Sequence, residues 1–153
     1  MKSIKLTQMK SSQKDIIINH SAKNLYKIVL DIEKYPEFIP WCNKIIIKSK
    51  SNNEIFADMI VKYSFFLPQT FTSHVYFDSK KLKINTNYIE GPLKDLNTEW
   101  IFNPLEIKKT KINFNLSFQF EKKFHQKLAE LFFELIENQM INSFIKRADD
   151  ILN

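Results

Sequence analysis

The sequence predicts an α+β fold: a curved antiparallel sheet with a short helix pair near its start and one long helix at its end. Three observations predict it. Apolar residues recur with a period of two over about residues 43–120, the pattern of antiparallel strands with one dry and one wet face. Beyond Phe124 the period becomes 3.6, the pattern of a helix laying a broad apolar stripe on a neighbour. A single Gly in 153 residues removes any glycine-rich phosphate cradle, which excludes the doubly wound nucleotide-binding folds.

The first strand is predicted over 15–19 from the β-branched run Ile16, Ile17 and Ile18. Ser21 is placed to cap a helix running to about Asp31, with Ala22, Leu25, Tyr26, Val29 and Ile32 at three- and four-residue spacings. Pro36 breaks it, and Pro36 and Pro40 bracket Phe38 and Ile39 in a short helical turn. Ile45 and Ile47 open the sheet, and a hairpin at 51–53 leads to Ile55, Ala57, Met59, Val61 and Tyr63 on one face. Phe71, Val75 and Phe77 form the next inward row. A turn at 78–80 leads to Leu82, Ile84 and Tyr88, and one near Gly91 and Pro92 leads to Trp100 and Phe102. The cleanest alternation follows, with Ile112, Phe114, Leu116, Phe118 and Phe120 against Asn113, Asn115, Ser117 and Gln119. With no Gly or Pro after Pro104 the terminal helix can exceed twenty-five residues, about 40 Å at 1.5 Å per residue, enough to cross the sheet. Residues 1–14 are polar and basic and are expected to form a flexible arm; 15–153 are expected to form one domain.

A net charge of +6 and a pI near 9.3 favour anionic partners. Arg147 is the single arginine, and arginine is the usual bidentate reader of bases, so sequence-specific DNA recognition is disfavoured. No window approaches the roughly 18 consecutive apolar residues of a membrane span. His20, His74 and His125 stand about fifty residues apart without neighbours at metal spacing, so no metal site is expected. Cys42 is alone, no serine has a nucleophile-elbow context, and the acids are scattered. The chain therefore reads as a binding protein with no catalytic residue and no cofactor, rather than an enzyme.

What the pattern does offer is an apolar interior between sheet and terminal helix, rich enough in aromatics and methionine to line a pocket. The expected lining is Tyr35, Phe38, Trp41, Met59, Tyr63, Phe71, Trp100, Phe118, Phe132, Leu135, Ile136 and Met140. Alternation demands inward apolar groups with or without a ligand, so core packing fits each of these residues too. The proline-bracketed segment 35–41 is expected to edge the entrance, with Phe38 and Trp41 exposed. Phe65, Phe66 and Leu67, beside Pro68, are expected either to dip into a membrane or to pack on the terminal helix.

Lys34-Tyr35-Pro36-Glu37-Phe38-Ile39-Pro40-Trp41-Cys42 resembles the signature of the Coq10 family of ubiquinone-binding START-like proteins. Phe71-Thr72-Ser73-His74-Val75, Ile89-Glu90-Gly91-Pro92-Leu93-Lys94-Asp95-Leu96, Trp100-Ile101-Phe102-Asn103-Pro104 and Ser143-Phe144-Ile145-Lys146-Arg147-Ala148 fit the same family in order. The resemblance implies a helix-grip fold with a hydrophobic tunnel. It also implies binding of ubiquinone or a related polyprenyl lipid, as a carrier or chaperone supporting respiratory electron transport. The implied location is cytoplasmic, in peripheral contact with the anionic surface of the inner membrane. A neighbouring branch, the ribosome-association toxins, implies the alternative of a partner on the large ribosomal subunit. An old label of the family, polyketide cyclase, implies a third.

Overall fold

A computed structural model describes residues 9–62, 67–119, 131 and 133–152. The described residues open with β1 (Met9–Ile18), followed by α1 (Ala22–Leu30) and a 3-10 turn (Ile32–Glu37). Six strands follow: β2 (Cys42–Lys50), β3 (Glu54–Val61), β4 (Gln69–Asp78), β5 (Lys83–Glu90), β6 (Asp95–Glu106) and β7 (Lys109–Gln119). A π-helical stretch (Leu135–Met140) then continues directly into α2 (Ile141–Leu152). Among the described residues these seven strands form one antiparallel sheet in the order β1-β7-β6-β5-β4-β3-β2, a meander to which β1 is added beside β7. The predicted α+β class and the helix-grip arrangement are what the chain adopts.

Local chemistry explains the elements. The Ser21 hydroxyl accepts from the Asn24 amide at 3.2 Å, closing the open N-terminal turn of α1. Leu25, Tyr26 and Val29 are buried on one face, and the Tyr26 ring stands edge-on to Phe102 with centroids 5.9 Å apart. In β6 and β7 the inward row Leu96, Thr98, Trp100, Phe102 faces Phe118, Leu116, Phe114 and Ile112 across the register. The outward row is amide-rich and satisfied along the sheet: Asn97 donates to Asn85 at 3.2 Å and Asn103 to Asn113 at 2.6 Å. Asp149 of α2 pairs with the His20 ring at 2.8 Å, while the buried Thr110 hydroxyl donates to the His20 carbonyl at 2.7 Å. These two contacts tie the terminal helix to the rim of the sheet.

Two boundaries differ from expectation. Residues 9–14, placed in the arm, are strand: their backbone pairs with 114–119 of β7. The period is hidden because the inward positions Ser12 and Lys14 are polar, and Lys14 reaches the terminal helix, donating to Asn138 at 2.8 Å with Glu137 3.8 Å away. Leu82 is not in a strand. The Asp78 carboxylate accepts from the Lys80 and Lys81 amides, which builds the turn and holds that carboxyl below its usual range, and Leu82 leaves it with φ of 52°.

The single glycine sits where a side chain has no room. Gly91 has φ of 148°, and a β-carbon there would lie 2.7 Å from the Thr70 carbonyl oxygen and 2.9 Å from the Tyr88 hydroxyl. Gly91→Ala is expected to cost roughly 1–3 kcal/mol of stability through backbone strain and this clash. Urea denaturation measures it; a loss below about 0.5 kcal/mol would show that the β5–β6 turn shifts freely.

Candidate functional site

The sheet curves around the terminal helix and leaves a cavity of about 90 Å³ between them. Its floor is the concave face of the sheet: Met59 and Val61 from β3, Phe71 and Ser73 from β4, Thr86 from β5, and Leu96, Thr98 and Trp100 from β6. Leu135, Ile136 and Met140 of the π-helical stretch and Phe144 of α2 form the roof. Tyr35 and Trp41, from the proline-bracketed corner, complete the lining. Alternation brings the floor together, since Phe71 and Ser73, like Leu96, Thr98 and Trp100, are two residues apart on their strands.

Eight predicted lining residues meet here: Tyr35, Trp41, Met59, Phe71, Trp100, Leu135, Ile136 and Met140. Phe38 and Phe118 do not. Phe38 lies outside the cavity, its ring 5.3 Å from that of Phe144 and beneath the Arg147 guanidinium at 5.0 Å. Phe118 is buried against Phe133, 5.6 Å between centroids. Tyr63 and Phe132 lie outside the described residues, as do Phe65 and Phe66 of the expected docking loop; Leu67 is 80% exposed. Trp41 corrects an expectation. It is 2% exposed rather than part of an open connection, because the Lys62 amide donates to its carbonyl and the Cys42 amide to that of Ile39, tucking the corner against the end of β3.

Val61, Ser73, Thr86, Leu96, Thr98 and Phe144 also line the cavity and were absent from the expected set. Ser73 and the two threonines escape a hydrophobicity pattern. Phase finds them: Ser73 lies midway between the inward Phe71 and Val75, and Thr98 between Leu96 and Trp100.

None of the described lining residues carries a formal charge. The Tyr35 hydroxyl donates to the Val29 carbonyl, and burial, with Cys42 and Asp31 nearby, pushes its ionisation well above the usual phenol range. Burial likewise pushes the Cys42 thiol up to about 12, which leaves almost no thiolate at neutral pH. Among the described residues no cluster of three or more His, Cys, Asp or Glu could hold a metal ion, and no helix is long and apolar enough to cross a membrane. What the arrangement can do is enclose an apolar group beside the side chains of Ser73, Thr86 and Thr98.

Residues 18–145 match the family described as polyketide cyclase / dehydrase and lipid transport. The chain is 30% identical over 147 residues to the ribosome association toxin RatA of Rickettsia prowazekii, covering 94% of this chain and 99% of that protein. It is also 30% identical over 136 residues to the mitochondrial coenzyme Q-binding protein COQ10 of Drosophila melanogaster, covering 86% of this chain and 55% of that protein. Among solved structures, the ZhuI aromatase/cyclase of Streptomyces sp. R1128 superposes with a TM-score of 0.82 at 16% identity, covering 95% of this chain and 96% of that one.

Proposed function

The chain belongs to the polyketide cyclase / dehydrase and lipid transport family, and on that footing we propose that it binds ubiquinone or a related polyprenyl quinone between sheet and helix, as a carrier rather than a catalyst. One observation carries the proposal: the cavity is walled mainly by apolar and aromatic side chains, joined by Ser73, Thr86 and Thr98, with no charged side chain among the described lining residues. A polyprenyl chain is strongly excluded from water, so a protein that shields it lowers the cost of moving it between membranes. The likeness to a coenzyme Q-binding protein over most of this chain supports the same ligand class. Catalysis on the ring would call for an acid or base facing it, and among the described lining residues the ionisable side chain is Tyr35, whose hydroxyl is committed to the Val29 carbonyl and whose ionisation burial pushes well above the usual phenol range.

The cavity's size sets a condition on binding. Pockets that hold drug-sized ligands measure roughly 300–1,000 Å³, against about 90 Å³ here, so a quinone ring enters only as the roof retreats. The roof is suited to that: it carries a methionine, which adapts its shape readily, and a π-helical stretch, a rare form that recurs at functional sites. The net charge of +6 supports peripheral docking to anionic lipid at roughly 1 kcal/mol per lysine near the surface.

The likeness to a ribosome association toxin over nearly the whole of both chains favours a second reading, in which the same positive charge docks on ribosomal RNA. Organic-solvent extraction of the protein purified from its own membranes, run beside sedimentation with large ribosomal subunits, separates the two. Quinone in the extract without cosedimentation is the expected result. Salt-sensitive cosedimentation with an extract free of quinone would replace the carrier reading by the ribosomal one.

A further inference from the structure

We propose that Trp41 recognises the polar end of the ligand, its indole Nε1–H donating a hydrogen bond to an acceptor oxygen such as a quinone carbonyl. This rests on the carrier reading and adds to it a ligand class: an apolar molecule whose head carries an acceptor, as distinct from a plain hydrocarbon or a fatty tail alone.

The argument starts from an unmet donor. Trp41 lines the cavity and is 2% exposed, yet its Nε1 has no hydrogen-bond partner among the described residues. Buried tryptophans ordinarily find an acceptor, because an indole N–H can only donate and its desolvation is otherwise uncompensated. If Trp41 served packing alone, a phenylalanine would fill the site without that cost. The indole is also preorganised: backbone bonds from the Lys62 amide to the Trp41 carbonyl and from the Cys42 amide to the Ile39 carbonyl, 3.0 Å each, fix the corner that carries it. The other aromatic donor at this corner is already committed, since the Tyr35 hydroxyl bonds the Val29 carbonyl. The Tyr26 hydroxyl lacks a partner as well, but Tyr26 does not line the cavity. Ser73, Thr86 and Thr98 supply hydroxyls on the sheet side, able to accompany the indole around a polar head.

The test compares a decyl-substituted benzoquinone with decylbenzene, which has the same tail and no carbonyl. The unmodified protein is expected to prefer the quinone by about tenfold, the scale of one neutral hydrogen bond, and Trp41→Phe to lose that preference while still binding decylbenzene. A second measurement needs no variant at position 41. The chain has two tryptophans, so ¹⁵N-labelled indole gives two N–H resonances, told apart by Trp100→Phe. The Trp41 proton is expected to move downfield with the quinone and not with decylbenzene. If the quinone binds but leaves that proton unmoved, or if Trp41→Phe keeps the preference, the donor role is wrong and the carrier reading survives. If the unmodified protein binds neither compound, the carrier reading itself fails.

Discussion

Leu135→Phe is expected to lower affinity for a short-chain quinone at least tenfold while costing less than about 1 kcal/mol of folding stability. Leu135 is buried in the roof of the cavity, and the larger ring extends into about 90 Å³ of space that the ligand needs. In a solid core the extra carbons would force off-rotamer side chains and backbone shifts at roughly 1–3 kcal/mol. Here the space accepts them. Urea denaturation alongside quinone titration gives both numbers; a variant destabilised by about 3 kcal/mol with unchanged affinity would mean that the roof is ordinary core.

Phe114→Ala is expected to show the opposite balance, losing about 3–5 kcal/mol of stability. Phe114 is 0% exposed at the middle of β7, with its ring centroid 4.6 Å from that of Trp100, and it lies outside the cavity. Here the sheet packs α1 and α2 without usable space: the pocket beneath them, lined by Leu25, Val29, Ile112 and Phe144 among others, measures about 10 Å³. For a chain of this size the loss corresponds to roughly 6–20 °C in Tm, at 2–4 °C per kcal/mol. A loss below 1 kcal/mol would contradict a solid half of the interior. The pair of variants thus divides one hydrophobic interior into a part that holds the fold and a part that yields to a ligand.

The solid half was the more legible in the sequence, because its positions are large, apolar and strictly alternating. Phe102, Ile112, Phe114, Leu116 and Phe118 all face inward as their period requires. The hollow half was legible where aromatics and leucines line it and silent where small hydroxyls do. Ser73, Thr86 and Thr98 read as wet-face residues by type, although register makes them floor. The start of β1 was silent for a related reason: Lys14 faces inward and meets Asn138 and Glu137, so polar meets polar across 124 residues and no local period records it. The depth of Trp41 depends on the bond from Lys62 to its carbonyl, a tertiary contact between the corner and the end of β3. Proline spacing announced a corner there and said nothing of which side the indole would take.

Quenching of intrinsic fluorescence by a short-chain quinone tests the central claim most directly, because both tryptophans of the chain, Trp41 and Trp100, line the cavity. The expected result is saturable quenching with one quinone per chain, abolished or shifted at least tenfold in Leu135→Phe. Quenching that rises linearly without saturation, equal in the two proteins, would show that the quinone meets the indoles only by collision from solvent and that the cavity is not its site.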